Sequence, residues 1–250
     1  MYKAAMIADV HGNLPALETA IKAINSEGCD AIFHLGDAIG IGPFPAECLE
    51  RLLALQGFQS VMGNHDAWFV NGIPDEPPAY MSAGEADHHR WVHAQLTPEL
   101  RRAISIWPYS INLEIGSLRS TIIHYPQNAE ANGFANIIRD PTAAQLDELF
   151  APIPGDLIWY GHHHPRSDIS GRARYVNPGS LGCSVDAQAR YAMLSVYPDG
   201  KYMIDFHAVP YDPAPLFRAF ETRKVPERTF IQQAFFNHVS SEEPPKSMPI

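Results

Sequence analysis

Short apolar runs alternate with helical patterns over the first quarter of the chain. The apolar runs are residues 2–8, 30–35 and 58–62, and apolar positions recur at helical spacing over 14–24 and 46–55. A short buried run followed by a helical pattern is typical of the strand–helix units that build a parallel sheet. We therefore predict an α/β fold whose functional residues lie at the carboxyl ends of its strands.

Prolines interrupt this alternation in residues 71–105. They are Pro74, Pro77, Pro78 and Pro98. Residues 82–96 have a helical pattern, so we interpret the whole stretch as an inserted helical cap, called the cap segment below. On this helix Glu85, His89 and His93 recur on one face. We expect a solvated face there, and a third metal site or a phosphate contact is the alternative.

Strand patterns resume in the second half of the chain. They cover residues 110–115, 120–124 and 156–161, and a helical pattern covers 142–150. Two further apolar runs flank the turn residues 198–200, an arrangement that predicts a β-hairpin.

The length of 250 residues suits one large domain with a substantial core. We assign residues 1–225 to this domain and place the cap segment inside it. Residues 226–250 form a C-terminal extension after a last helix that begins near residue 216. The Pro- and Ser-rich tail 240–250 predicts that this extension is partly disordered.

The charge balance excludes one class of partner. The formal net charge is −10, the opposite of the basic surface that nucleic-acid binding requires, so we expect no bulk nucleic acid. The chain has no apolar run of about 18 residues, and its amino terminus lacks the pattern of a signal peptide. We therefore expect no membrane partner and a cytoplasmic location. The sequence does not determine the oligomeric state, and a homo-oligomer is compatible with it.

The cysteines do not have the spacing of a disulfide framework. Cys29, Cys48 and Cys183 are odd in number and contain no CxxC pair. This pattern is typical of reduced thiols rather than of disulfides or a thiolate metal site. We expect all three to be small core residues.

Side chains that bind metals follow almost every predicted strand. They are Asp9, His11, Asp37, Asn64, His65, His124, His162 and His164. Because strand ends meet at one edge of a sheet, we expect these side chains to come together. Carboxylate, amide and imidazole ligands without thiolate favour Mn, Fe, Zn or Co. Two ions about 3.5–4 Å apart need one shared carboxylate, which this set can supply.

Three consecutive histidines follow the strand at 156–161. Side chains alternate in direction along an extended segment, so His162 and His164 would face one way and His163 the other. This spacing predicts that His162 and His164 are ligands. We expect His163 to pack, cap or face solvent, with a substrate contact as the alternative.

Five motifs follow one another in order: D-x-H at Asp9–His11, GD at Gly36–Asp37, GNHD at Gly63–Asp66, a lone His124, and GHxH at Gly161–His164. Together they resemble the calcineurin-like metallophosphoesterase superfamily, and the likeness extends from residue 9 to about residue 185. The segments GDAIGIGPFPAE and VNPGSLG further resemble a branch of small bacterial and archaeal phosphoesterases. Asn177–Ser180 alone predicts a tight turn, and the resemblance implies that it supports the metal site.

The resemblance implies a four-layer α/β/β/α sandwich of two mixed sheets, with the cap segment as a helical insertion. It also implies two divalent transition-metal ions, with Mn first and Fe, Zn, Co or Ni as alternatives. The first ion would be held by Asp9, His11, Asp37 and His164. The second would be held by Asp37, Asn64, His124 and His162, so that Asp37 bridges the pair.

The resemblance also assigns catalytic roles. A hydroxide that bridges the ions would attack phosphorus in line. His65 would lie near the leaving group as general acid or charge stabiliser, and Asp66 would orient its ring.

The expected substrate contacts differ from those of better-known members of the superfamily. Protein Ser/Thr phosphatases and symmetrical diadenosine tetraphosphate hydrolases have an arginine soon after the GD motif, and its absence from GDAIGIG counts against both activities. Arg166 or Arg139 is a candidate replacement. Tyr125, which stands where the family often has glycine after the lone histidine, and His163 are further candidate substrate contacts.

The resemblance therefore predicts a metal-dependent phosphoesterase that acts on a small phosphorylated substrate. A phosphodiester or a nucleotide phosphoanhydride is the leading substrate class, with asymmetric cleavage of a dinucleoside polyphosphate as a specific example. A phosphomonoesterase acting on a small phosphorylated metabolite is the alternative. A rival of another class is a non-catalytic interaction protein, like the retromer sorting subunit of the same fold. That subunit lacks some catalytic histidines, whereas this chain retains them.

Overall fold

Two sheets lie at the centre of the fold, and helices cover their outer faces. The computed structural model describes residues 1–72, 81–128 and 133–237. In chain order the strands are β1 (Tyr2–Ile7), β2 (Ala31–His34), β3 (Phe58–Ser60), β4 (Ser110–Ile115), β5 (Leu118–Ile123), β6 (Leu157–Trp159), β7 (Ser167–Ser170), β8 (Arg174–Asn177), β9 (Gln188–Val196) and β10 (Tyr202–Pro210). The helices are α1 (Leu14–Glu27), α2 (Pro45–Leu53), α3 (Asn64–Asn71), α4 (Ala83–Gln95), α5 (Pro98–Ser105), α6 (Ala143–Leu149), α7 (Ala214–Thr222) and α8 (Arg228–Phe236).

The first sheet has the strand order β10–β9–β1–β2–β3. Strands β1, β2 and β3 are parallel, with Ala4 opposite Ala31, whereas β9 runs antiparallel to β1 and β10. Residues 4–7 of the central strand β1 are fully buried, and a strand covered on both faces is apolar without alternation. The hairpin predicted around residues 198–200 is confirmed as β9 and β10.

The second sheet has the strand order β4–β5–β6–β8–β7. Its central strands β5, β6 and β8 are parallel, and the edge strands β4 and β7 are antiparallel to their neighbours. The apolar side chains that fill the space between the two sheets include Met6, Phe33, Ile122, Trp159 and Leu194. Leu146 of α6 and Phe150 pack on the other face of the second sheet.

A helical layer covers the outer face of the first sheet. Helices α1, α2, α4 and α5 contribute to one apolar cluster, whose members include Leu17, Ile21, Leu49, Val92 and Ile104. With this layer and α6 on opposite sides of the paired sheets, the predicted α/β/β/α sandwich is confirmed.

The cap segment supplies part of this helical layer. Its helices α4 and α5 pack against α2 and α3. His89 on α4 is only 1% exposed, and its ring centroid lies 4.4 Å from that of Trp68. The expected solvated face is therefore wrong for His89, because this side of α4 packs against α3.

Helices α7 and α8 pack against the loop after β2. The apolar side chains of this cluster include Ile41, Leu216, Phe220, Ile231 and Phe236. Our sequence analysis did not predict α8, which lies in the supposed C-terminal extension. The predicted disorder of 240–250 lies outside the described residues, as do Pro74, Pro77 and Pro78 of the cap segment. The domain boundary at residue 225 stays a prediction.

Cys48 and Cys183 are buried, Cys29 is partly buried, and all three are free thiols, as predicted. Within the described ranges, no helix has the length and apolar character needed to cross a membrane.

Candidate metal centre

Segments that follow five strands carry the candidate ligands at one edge of the sandwich. The loops after β1, β2, β5 and β6 carry Asp9, His11, Asp37, His124, His162 and His164, and Asn64 is the first residue of α3, which follows β3. The carboxyl ends of parallel strands share one edge of a sheet, and packing of the two sheets brings both edges together. The structure thus brings all seven predicted ligands to this edge of the sandwich.

The ligand loops have an unusual backbone conformation. Asp9, His11 and Asp37 have φ values of 53°, 47° and 61°, in the left-handed region that residues with a Cβ atom seldom adopt. Backbone hydrogen bonds hold this conformation: the amide of Asp9 donates to Gly36 O at 3.1 Å, and the amide of His11 donates to Asp37 O at 3.0 Å. Strained residues of this kind concentrate at functional sites, where surrounding contacts maintain them.

His162 also has a positive φ, of 65°. The histidine triplet is therefore not extended, and our argument from alternating side chains is wrong. His162 and His164 reach the centre because the backbone turns between them. Asn177 fixes this turn by donating from Nδ2 to the carbonyl oxygens of Gly161 at 3.2 Å and His163 at 2.6 Å.

One group of donors is centred on His11. Its Nε2 lies 3.1 Å from Nε2 of His164, 3.9 Å from Oδ1 of Asp9 and 3.8 Å from Oδ2 of Asp37. Its Nδ1 lies 3.2 Å from the carbonyl oxygen of Ile39. When Nδ1 donates to this carbonyl, Nε2 turns its lone pair towards the other donors.

A second group is centred on His124. Its Nε2 lies 3.3 Å from Oδ2 of Asp37 and 3.0 Å from Oδ1 of Asn64. Ligand atoms of His124, Asp37 and His162 all lie within 4.8 Å of one another. Asp37 belongs to both groups, in the position that the sequence analysis assigned to a bridging carboxylate.

Burial keeps most of the imidazoles neutral. It lowers the pKa of His11 and of His162 to about 3, and that of His164 to about 4. Burial alone would also lower the pKa of His124, but the Asp37 carboxylate raises it to about 9. Burial raises the pKa of Asp9 to about 7. The neutral imidazoles offer lone pairs at neutral pH without first losing a proton.

The donor set fits divalent transition-metal ions. Asp9 Oδ2 is buried and has no hydrogen-bond partner among the described residues. A buried carboxylate oxygen without a partner is costly, and a cation compensates for it. The neighbouring nitrogens and the Asn64 oxygen supply the mixed ligands that such ions prefer.

His65 lies beside both donor groups. Its ring centroid is 5.0 Å from that of His11, and its backbone amide donates to Oδ1 of Asp37 at 2.9 Å. A Cβ atom on Gly40 would come within 2.5 Å of Nδ1 of His65, so glycine is required there for the ring to fit. Nδ1 of His65 is buried, so Nε2 is the ring nitrogen that can exchange protons with the cavity.

Asp66 has a different role from the one expected. Its carboxylate accepts hydrogen bonds from the amides of Asp37 at 2.8 Å, Ala38 at 3.1 Å and Gly63 at 3.1 Å. None of these bonds involves the ring of His65. Asp66 therefore positions the loop that carries Asp37. The prediction that Asp66 orients the ring of His65 is wrong.

A cavity of about 680 Å³ opens over the donor groups. Its lining includes His65, His163 and Arg139 in addition to candidate ligands. His163 and Arg139 are therefore placed where a substrate could contact them.

The other two expected substrate contacts lie elsewhere. Tyr125 is 2% exposed and its ring packs 5.0 Å from that of His162, so it supports a ligand from behind. The guanidinium of Arg166 lies 4.2 Å from the centre of the Phe206 ring on β10. Neither side chain lines this cavity, and the geometry does not support their predicted contact with substrate.

The sequence analysis did not place two residues, Cys183 and Phe235, near the metal centre. Cys183 lies with His11 and His164 in a group of potential ligand atoms within 4.8 Å, and its place three residues after the NPGS turn was the available signal. Phe235 of α8 lines the cavity, with its ring centroid 5.9 Å from that of His164. No motif indicated Phe235, because α8 reaches the site only through tertiary packing.

The amino-acid sequence matches one family over most of its length. The calcineurin-like phosphoesterase superfamily domain matches residues 2–199. The chain belongs to this superfamily. The matched region contains both donor groups, and members of the superfamily typically bind divalent metals. The protein is thus a metallophosphoesterase, and its substrate is a small phosphorylated molecule.

The chain is also similar to individual proteins. An uncharacterised protein of Methanocaldococcus jannaschii is 26% identical over 240 residues, covering 89% of this chain and 93% of that protein. A metallophosphoesterase from Sphaerobacter thermophilus superimposes with a TM-score of 0.68 and 25% identity, covering 94% of this chain and 98% of the other. A hypothetical protein from Pyrococcus horikoshii OT3 has the same fold, with a TM-score of 0.78, 21% identity and coverage of 96% and 100%.

Proposed function

We propose that this metallophosphoesterase uses two divalent transition-metal ions, with Mn as the leading candidate, to hydrolyse a phosphodiester or a nucleotide phosphoanhydride. One observation carries the proposal: two groups of buried and partly buried donors share the carboxylate of Asp37. A shared carboxylate is what a pair of neighbouring metal ions requires.

The proposed ligands divide into two sets. Asp9, His11, Asp37 and His164 would hold the first ion. Asp37, Asn64, His124 and His162 would hold the second. When bound, two divalent ions polarise phosphoryl oxygens and acidify water near neutral pH.

His65 is the proposed proton donor to the leaving oxygen. Burial lowers its pKa well below the usual value, so the imidazole is neutral before substrate binds. An anionic phosphoryl group beside Nε2 would favour its protonated form. His65 could then hold a proton at Nε2 and pass it to the departing oxygen.

Arg139 is the proposed phosphate contact. It is exposed and lines the cavity together with His163 and Asp140. A guanidinium can donate two parallel hydrogen bonds to phosphate oxygens, which suits the negative charge of the substrate. Of the two candidate replacements for the missing arginine, we therefore propose Arg139 rather than Arg166 as the phosphate contact.

A diester or anhydride is favoured over a monoester by the space around the centre. A second cavity shares Asn64, Ile137 and His162 with the first. A phosphorus atom at the donor groups would therefore have room for a substituent on either side. A monoester needs only one of these spaces.

Metal reconstitution combined with a substrate panel tests the proposal. Metal-free protein would be loaded with Mn, Fe(II), Co, Ni, Zn or Mg and assayed on bis(4-nitrophenyl) phosphate, 4-nitrophenyl phosphate and a dinucleoside polyphosphate. We expect about two bound ions per chain, loss of hydrolysis on chelation, recovery with Mn, and higher kcat/KM for the diester or anhydride. Hydrolysis by rigorously metal-free protein would refute the metal mechanism, and a higher kcat/KM for the monoester would refute the substrate class.

A further inference from the structure

The second cavity has a volume of about 840 Å³ and begins at the donor groups of the candidate metal centre. Asn64 and His162 line it on that side. From there it extends between α3 and the segments before β4 and after β5. Its size lies within the range of about 300–1,000 Å³ that is typical of small-molecule sites.

Aromatic side chains form the walls of this second cavity. Trp68 of α3 lines it, with its ring centroid 5.3 Å from that of His65. Phe134 and Tyr109 also line it, with ring centroids 6.1 Å apart. The ring centroid of Phe134 lies 5.3 Å from that of His124. The aromatic surfaces therefore begin beside the donor groups and lead away from them.

Carboxamides supply most of the other polar groups of the cavity. They are Asn64, Asn71, Gln127, Asn128 and Asn136. Each carboxamide can both donate and accept hydrogen bonds, and Asn and Gln pair with the edges of nucleobases in this way. Asn71, Gln127 and Asn136 are exposed, so their side chains are accessible to a ligand.

The charges of the two cavities differ. Asp37, Arg139 and Asp140 line the first cavity, whereas no Asp, Glu, Lys or Arg is among the described residues that line the second. A charged phosphoryl group suits the first cavity. A flat, uncharged group with hydrogen-bonding edges suits the second.

We propose that the second cavity is a nucleobase subsite, so that the substrate is an ester or anhydride of a nucleotide. The proposal rests on the phosphodiester or anhydride hydrolysis proposed above and specifies its substrate class. A base stacks on the aromatic walls while the exposed carboxamides of Asn71, Gln127 and Asn136 contact its edge. Stacking tolerates every base, so the class of ligand is a nucleobase rather than one particular base.

Binding of a nucleoside tests the subsite without any hydrolysis. Adenosine and thymidine would be titrated into wild-type protein and followed by ligand-observed NMR. We expect saturable binding that weakens by about 5- to 150-fold in Tyr109→Ala, the range for loss of one stacking side chain. Tyr197→Ala is the matched control, because Tyr109 and Tyr197 are both 39% exposed and Tyr197 lines neither cavity. Equal binding by the two variants would overturn the proposal.

Hydrolysis of two esters with the same leaving group provides the second test. Thymidine 5′-(4-nitrophenyl) phosphate and methyl 4-nitrophenyl phosphate differ in the nucleoside alone. We expect wild type and Tyr197→Ala to prefer the thymidine ester in kcat/KM by at least about tenfold, and Tyr109→Ala to lose most of that preference. Wild type that treats the two esters alike, or prefers the methyl ester, would overturn the subsite.

The two tests separate the subsite from the proposed function. Metal-loaded protein that hydrolyses neither ester would refute the proposed function. The subsite would still hold if nucleosides bind and Tyr109→Ala lowers the affinity for them. If both esters are hydrolysed equally and nucleosides do not bind, the proposed function holds and the subsite fails.

Discussion

The Nε2 atoms of His11 and His164 lie 3.1 Å apart, although 153 residues separate them in the chain. Burial holds their pKa values at about 3 and about 4, so both imidazoles are neutral near pH 7. Their approach beside the carboxylates of Asp9 and Asp37 forms an arrangement of donors that a divalent cation stabilises. The structure therefore brings four donors together around Nε2 of His11.

Asp37→Asn should weaken binding of both metal ions. The substitution removes the negative charge of the only residue common to the His11 and His124 donor groups. We expect apparent metal affinity to fall by at least about 100-fold, the upper end of the effect seen for residues that merely support a ligand. Titration calorimetry on metal-free protein measures this.

Asp140→Asn is the matched control, since it makes the same change at an exposed position of the same cavity. It should bind both ions with nearly wild-type affinity. If Asp37→Asn bound two ions as tightly as Asp140→Asn does, Asp37 would not be the bridging residue.

His65→Ala should affect substrates according to their leaving group. A general acid contributes typically about 10²–10⁴-fold when the leaving oxygen needs a proton. A nitrophenolate departs readily without a proton, whereas the alkoxide of a ribose does not. The variant should therefore keep its metals, lose most activity on an alkyl or nucleoside ester, and lose much less on bis(4-nitrophenyl) phosphate.

The measurement is kcat/KM on diesters that differ in leaving-group pKa, at matched metal occupancy. His163→Ala, another histidine of the same cavity, is the control and should show no dependence on the leaving group. Equal losses of His65→Ala on all diesters would assign His65 a purely electrostatic role.

Asp66→Asn should weaken metal binding by acting through Asp37. One side-chain oxygen would remain to accept from the amides of Asp37, Ala38 and Gly63, and the new NH₂ group cannot accept a hydrogen bond. We expect about a 10- to 100-fold loss of metal affinity, as for other residues that orient ligands.

Asp212→Asn is the control for this experiment, because Asp212 also accepts from a backbone amide, that of Ala214, but in an exposed loop. It should leave metal affinity unchanged. If Asp66→Asn kept wild-type metal affinity and instead lost activity selectively on poor leaving groups, Asp66 would act on His65 as the sequence analysis expected.

Metal binding should release more protons at pH 6 than at pH 8. In the metal-free protein the Asp37 carboxylate raises the pKa of His124 to about 9, and burial raises that of Asp9 to about 7. At pH 6 both groups are protonated, and both protons must leave when the two ions bind; at pH 8 only the proton on His124 remains. Metal affinity should consequently rise with pH over this range.

Calorimetry in buffers with different ionisation enthalpies counts these protons. We expect about two protons released at pH 6 and about one at pH 8. His124→Gln should release about one proton fewer at pH 6. A proton count that does not change with pH would contradict this assignment.

Local patterns were sufficient for much of the fold and for the candidate donors. The apolar runs at β1 and β2 and the helical patterns after them identified the strand–helix units, because buried strands and amphipathic helices each leave a periodic signature in nearby residues. The placement of Asp9 and Asp37 directly after these strands was also visible in the sequence. Since parallel strands share an edge, their convergence in the structure followed from the same reasoning.

The roles of individual side chains were decided by tertiary structure. Asp66 follows His65 in sequence, yet its carboxylate contacts the loop of Asp37, 29 residues away. Tyr125 follows His124, yet it is buried behind His162. Sequence adjacency determines neither side-chain direction nor burial, because both depend on which loops the packed sheets bring together.

The residues that line the cavities were likewise decided by tertiary structure. Phe235 reaches the first cavity from α8, Trp68 reaches the second from α3, and Phe134 reaches the second from the segment after β5. The sequence alone determined most of the elements and the chemical groups at their ends, since these depend on neighbouring residues, although it did not reveal α8. Only the packing of distant elements determined which groups meet around a cavity, because burial of apolar surface brings elements together without regard to their separation in the chain.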